Sequence, residues 1–82
     1  MKKLSVGIIG YGIVGKRRKA FIDRNKYFET KFISDICFKN NFNKKGIKYF
    51  KFYSELLREN VDVVFVTLPN YLAAKVTQNC LK

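Results

Sequence analysis

The chain has 82 residues, 48% of them hydrophobic and 16% aromatic, with 17 Lys and Arg against 6 Asp and Glu, a formal charge of +11. A chain of this size supports at most one small domain, burying only about 60% of its unfolded surface, and Gly and Pro are too sparse for a fibrous or disordered chain. The basic residues are scattered along the sequence instead of gathered on one face, which argues against a nucleic-acid partner despite the net charge.

The start, Met1-Lys2-Lys3 followed by an apolar run, imitates a secretory signal but fails in detail. Glycines interrupt the run, Lys16-Arg17-Arg18-Lys19 follows it, and it is well short of the roughly 20 residues that span a bilayer. The expectation is a cytoplasmic protein without a membrane segment. The run Leu4-Ser5-Val6-Gly7-Ile8-Ile9 instead reads as a first strand, apolar enough for a parallel strand covered on both faces.

A helix is predicted over 13–25. At 100° per residue Val14, Gly15, Phe21 and Ile22 share an apolar arc, while Lys16, Arg17, Lys19, Asp23 and Arg24 lie on a solvated side. Arg18 falls inside the arc and is expected to pack its stem and turn its guanidinium outward. A second strand follows at Thr30-Lys31-Phe32-Ile33-Ser34-Asp35, and 37–46 reads as a surface connection. Residues 47–50 form a short third strand, and Ser54 caps a brief helix through Asn60, with Glu55 in its first turn. Val61-Asp62-Val63-Val64-Phe65-Val66-Thr67 is the clearest strand of all, β-branched and nearly all apolar. After Leu68-Pro69-Asn70 a final amphipathic helix places Leu72, Ala73, Ala74, Val76, Cys80 and Leu81 on one arc.

Alternating strands and helices predict an α/β fold: a partial Rossmann fold with a parallel sheet of about four strands and flanking helices. In that topology the first and fourth strands are neighbours. The outer edge of the fourth, long, apolar and free of internal proline or lysine, is expected to recruit another strand, so self-association through it is anticipated. Cys37 and Cys80 form no CxxC pair, and with no histidine in the chain they read as two reduced, buried thiols and not as a metal site.

Gly10-Tyr11-Gly12-Ile13-Val14-Gly15 matches G-x-G-x-x-G. Alone the pattern is weak, but it follows a predicted strand, opens a predicted helix, and has Asp35 twenty positions after Gly15 at the end of the next strand. Gly10 permits the tight turn, Gly12 leaves room for a pyrophosphate, and Gly15 lets the helix lie close on the sheet. The N–H groups near Ile13 and Val14 would face the phosphates with the helix dipole behind them. Asp35 would accept both adenosine ribose hydroxyls and repel a 2′-phosphate, which favours NAD, while Lys39 nearby keeps NADP open.

The blocks Ser5-Val6-Gly7-Ile8-Ile9-Gly10-Tyr11-Gly12, Ser54-Glu55-Leu56-Leu57 and, most tellingly, Val61 through Asn70 resemble the glucose-fructose oxidoreductase, inositol dehydrogenase and MocA family (Gfo/Idh/MocA) over essentially the whole chain. The resemblance implies that Leu68, Pro69 and Asn70 line the cofactor groove and that Ile36 lies against adenine. Arg18 and Ala73 stand where that family often has histidine. The family continues into an E-K-P motif, whose lysine assists catalysis, and a substrate domain. Neither falls within residues 1–82, so the expectation is the N-terminal part of a dinucleotide-binding domain from a sugar or polyol oxidoreductase, with no catalytic residue of its own and inactive alone. Two alternatives stand beside it: a regulatory nucleotide-sensing module, and a basic nucleic-acid-binding module using 16–19.

Overall fold

A computed structural model describes residues 3–67. In chain order these form β1 (Leu4–Ile9), α1 (Ile13–Asp23), β2 (Phe28–Ser34), β3 (Phe42–Lys44), β4 (Ile47–Phe50), α2 (Tyr53–Leu56) and β5 (Val63–Val66). The predicted final helix and Cys80 lie outside the described residues.

The strands make one five-stranded sheet in the order β3-β4-β2-β1-β5. β1 lies between β2 and β5, parallel to both, and β2 is parallel to β4, so the expected order with first and fourth predicted strands adjacent is present. The fifth strand is the difference. Part of the predicted surface connection is β3, which pairs antiparallel with β4 through a two-residue turn at Lys45 and Gly46, with φ of 51° and 80°. Two successive positive φ values match the right-handed twist of a hairpin, and Gly46 adopts its value without strain.

Both faces of β1 are covered, which is why its sequence is almost continuously apolar. Val6 and Ile8 join Ile22 of α1 and Ile33 of β2 on one face, and Ile9 joins Leu56 of α2 on the other. β5 divides the same way, Val63 and Phe65 toward α1's face, Val64 and Val66 toward α2's. Val6, Ile8, Ile33 and Leu56 are fully buried, each contributing about 1.5–3 kcal/mol of transfer free energy. A Cβ on Gly7 would stand 2.9 Å from Leu56 Cδ2, so the missing side chain allows α2 to sit down on β1. Asp62 fastens the start of β5 to β1, its Oδ2 accepting from Ser5 N–H at 2.8 Å and from Ser5 Oγ at 3.1 Å.

Three expectations need correction. In α1 only Gly15 and Ile22 are buried, whereas Val14 and Phe21 are exposed. Gly15 rests on the glycine turn and Ile22 in the core, while Arg18, an exposed residue, lays its guanidinium 5.7 Å from the centre of the Phe65 ring. The second helix starts at Tyr53 behind Phe52 and ends at Leu56, so Ser54 lies inside it and is no cap. Cys37 is exposed, not buried. It follows Asp35 in a turn where Asp35 Oδ1 accepts from Cys37 N–H at 2.8 Å, and this side-chain turn swings the thiol outward. The same carboxylate, by hydrogen bonding to the thiol and by its charge, holds Cys37 above its ordinary value.

Candidate functional site

The carboxyl ends of β1, β2 and β5 meet at one place, where ligands bind in open parallel sheets. The chain leaves β1 through Gly10, whose φ of 93° turns it sharply, a conformation that disfavours any side chain. Gly10 N–H donates to the Ser34 carbonyl at 2.7 Å, and Tyr11 N–H donates to Asp35 Oδ2 at 2.7 Å. On the other side Thr67 N–H donates to the Ile9 carbonyl at 2.9 Å, and the Thr67 hydroxyl donates to the Gly10 carbonyl. The glycine turn is thus held from β2 on one side and from the end of β5 on the other.

α1 begins at Ile13. Gly12 is its N-cap with extended backbone, its carbonyl accepting from Lys16 N–H at 3.0 Å. No side chain caps this end, and no acidic residue occupies the first turn. The first N–H groups of a helix have no intrahelical acceptor, and here they retain the partial positive charge that suits a phosphate.

The two later glycines differ sharply in surroundings. A Cβ on Gly15 would lie 2.2 Å from the Gly10 carbonyl oxygen and 3.1 Å from Thr67 Oγ1, so the helix can rest on the turn only if that position has no side chain. A Cβ on Gly12 would meet nothing within 4 Å. Packing therefore does not require glycine at Gly12, and the open space beside a helix start fits a pyrophosphate.

Asp35 lies immediately after β2, close enough to Tyr11 to bond the turn. Its carboxylate accepts one backbone N–H on each oxygen, from Tyr11 and Cys37. An ionised carboxylate has about four acceptor positions, so acceptor capacity remains for a ribose hydroxyl. Ile36 is 72% exposed, as are Ile13 at 73% and Val14 at 56%. Large apolar side chains standing in water at the mouth of a polar turn are suited to the flat face of a base or ring. Leu68, Pro69 and Asn70 lie outside the described residues.

Two contributors were missed in the sequence. Thr67 was read only as the end of a strand, although a hydroxyl residue at a strand's carboxyl end beside a glycine turn is the available signal. Tyr11 carries no assigned role in the motif. Its ring packs 6.4 Å from both Phe38 and Tyr49, with Lys16 Nζ 5.8 Å from its centre, tying the turn to the aromatic end of the sheet. Burial raises its phenol above the ordinary 10.0, against the pull of Lys19.

No curated protein matches the chain. Residues 4–82 match the sequence profile of the oxidoreductase family with an NAD-binding Rossmann fold, Gfo/Idh/MocA. A mostly parallel sheet covered on both faces, a glycine turn held at its carboxyl edge and a match over nearly the full length agree: the chain belongs to the Gfo/Idh/MocA family of NAD(P)-binding oxidoreductases.

Proposed function

We propose that Gly10, Gly12, Ile13, Val14, Gly15, Asp35 and Ile36 bind NAD, together with Leu68, Pro69 and Asn70, as the cofactor portion of an oxidoreductase acting on a sugar, polyol or related hydroxyl substrate. The observation that carries the reading is the contrast at the glycines, Gly15 jammed against the Gly10 carbonyl and Gly12 facing open space. The α1 N–H groups would hold the pyrophosphate, Gly12 would let it approach, Asp35 would take the adenosine ribose hydroxyls, and exposed Ile36 would cover the adenine. The dinucleotide supplies the hydride acceptor or donor. The chain's own residues bind and orient it, and Asp35 disfavours a second phosphate on that ribose by like-charge repulsion, so NAD is preferred to NADP.

A polypeptide of these 82 residues is proposed to bind dinucleotide without turning over a substrate, since every residue assigned here contacts the cofactor. It is proposed to be cytoplasmic; among the described residues no helix is long and apolar enough to cross a membrane. Among those residues β5 pairs only with β1, and self-association through its outer edge is proposed on that basis. Calorimetric titration with NADH and NADPH tests the cofactor reading: NADH should bind more tightly, and Gly12→Val should abolish binding while the far-UV spectrum stays unchanged. Equal affinities, or an unaffected Gly12→Val, would overturn it.

A further inference from the structure

On the face of the sheet that carries α1, a groove of about 500 Å³ runs along the helix over β2 and β4. Parallel neighbours in a sheet are usually joined by a crossover helix that covers this strip. Here residues 35–46 join β2 to β4, and in place of a helix they add β3 to the sheet edge. Among the described residues no second helix lies beside α1 on that face, so half-buried Phe28, Ile47 and Tyr49 form a groove floor.

The rim is basic. Lys19 is held by Asp23 at 2.6 Å, and Lys31 lies 3.9 Å from Glu29. Lys3, Lys44 and Lys45 also line the groove, and none of the three has an ion-pair partner among the described residues. Half-buried Phe28, Ile47 and Tyr49 set in a groove that is otherwise polar, under unpaired lysines, are complementary to a segment with a few apolar residues on one face and carboxylates beside them. A second copy of the chain is disfavoured, because it would bring its own charge of +11 against the same rim.

We propose that this groove docks an acidic amphipathic helix of a partner protein, in the place a crossover helix would take, with apolar side chains on Phe28, Ile47 and Tyr49 and carboxylates on Lys3, Lys44 and Lys45. The groove meets the cofactor turn only at Tyr11, and none of the residues proposed to contact the helix is among those proposed to hold the dinucleotide.

The test is an amide chemical-shift titration of the ¹⁵N-labelled chain with a synthetic Leu/Glu helical peptide of roughly 18 residues, about five turns. Shifts should concentrate in residues 28–31 and 44–49. The triple variant Lys3→Glu, Lys44→Glu, Lys45→Glu, all exposed positions, should weaken the peptide by at least about tenfold while its amide spectrum and NADH affinity stay those of the parent. The same peptide with lysine for glutamate should not bind. Equal binding of the lysine peptide, shifts located elsewhere, preferential binding of an oligothymidylate of similar length, or a triple variant that binds unchanged would each overturn the proposal.

Discussion

Gly15→Ala is the sharpest test of how the glycine turn is built. In an ordinary helix interior the change would stabilise by up to about 1 kcal/mol through propensity. Here the new methyl would sit 2.2 Å from the Gly10 carbonyl oxygen, more than 1 Å inside ordinary contact. The obstacle is backbone, not a flexible side chain, and it is itself held by the Thr67 hydroxyl and by the Gly10 N–H bond to Ser34. Relief therefore needs α1 to lift at its first turn, and overpacking of this kind costs about 1–3 kcal/mol. Because the obstacle is fixed backbone the upper part of that range applies, for a net loss of up to about 2 kcal/mol after the propensity gain is subtracted. The lift also carries the first N–H groups away from the turn, so NADH affinity should fall with stability. Urea unfolding and NADH fluorescence titration on the same samples measure both. A Gly15→Ala protein as stable as its parent, with parental NADH affinity, would refute the reasoning, whereas Gly12→Ala should keep its stability and lose only affinity.

Asp35→Ala should weaken NADH about ten- to a hundredfold, since bonds to a charged group contribute about 1.5–3 kcal/mol, and should also loosen the turn, visible as faster exchange of the Tyr11 and Cys37 amide protons. Thr67→Val should leave the Gly10 carbonyl without its hydroxyl donor and lower stability by about 1 kcal/mol, with Thr67→Ser restoring it; parental stability in the valine variant would refute the latch. Burial works to raise the Asp23 carboxyl, but the Lys19 ammonium and the Thr30 backbone N–H outweigh it and hold the group below its ordinary 3.8. A depressed carboxyl stabilises fully above its unfolded value and loses that contribution as pH falls through the lower folded one, so acid unfolding below about pH 3.8 should be shallower in Lys19→Met. Finally, light scattering on the 82-residue chain should show concentration-dependent association, while a strictly monomeric parent would remove the case for an open β5 edge.

The parts of the fold legible in the sequence are those where burial dictates composition. β1 and β5 are covered on both faces, so they stand out as short, nearly continuous apolar runs bounded by turn residues; β4 carries enough of the same signal in Ile47, Tyr49 and Phe50. β3 carries none of it. All of Phe42, Asn43 and Lys44 are exposed, so no alternation marks a strand, and its pairing is set by the Lys45-Gly46 turn instead. That turn offered one local clue, a glycine immediately before an apolar run. Asn41 is equally silent in sequence, yet its side chain accepts from Lys51 N–H at 2.9 Å and donates to Glu55, joining the start of the hairpin to α2. A bond of that kind depends on three segments meeting, which no periodicity encodes.

The site divides along the same physical line. Glycine spacing reports a backbone requirement, and the requirement at Gly10 and Gly15 is local: one turn and one helix start directly after β1. Asp35 was legible as a carboxylate at a strand end, but its second task was not. Because β1 and β2 are parallel neighbours in register, Ile9 opposite Ser34, the residue after β2 arrives beside the residue after Gly10, and the carboxylate that could receive a ribose also receives the Tyr11 N–H. Thr67 arrives from the other side by the same logic, since Ile9 is opposite Val66 in the β1–β5 ladder. Register thus turns two strand ends into clamps on one loop. A ligand placed there meets donors already held in position before it binds, so less of its binding energy goes into ordering the turn. For that reason substitutions at Asp35 and Thr67 should change the exchange of the Tyr11 amide even when no dinucleotide is present, whereas Gly12→Ala, which touches nothing, should leave it unchanged.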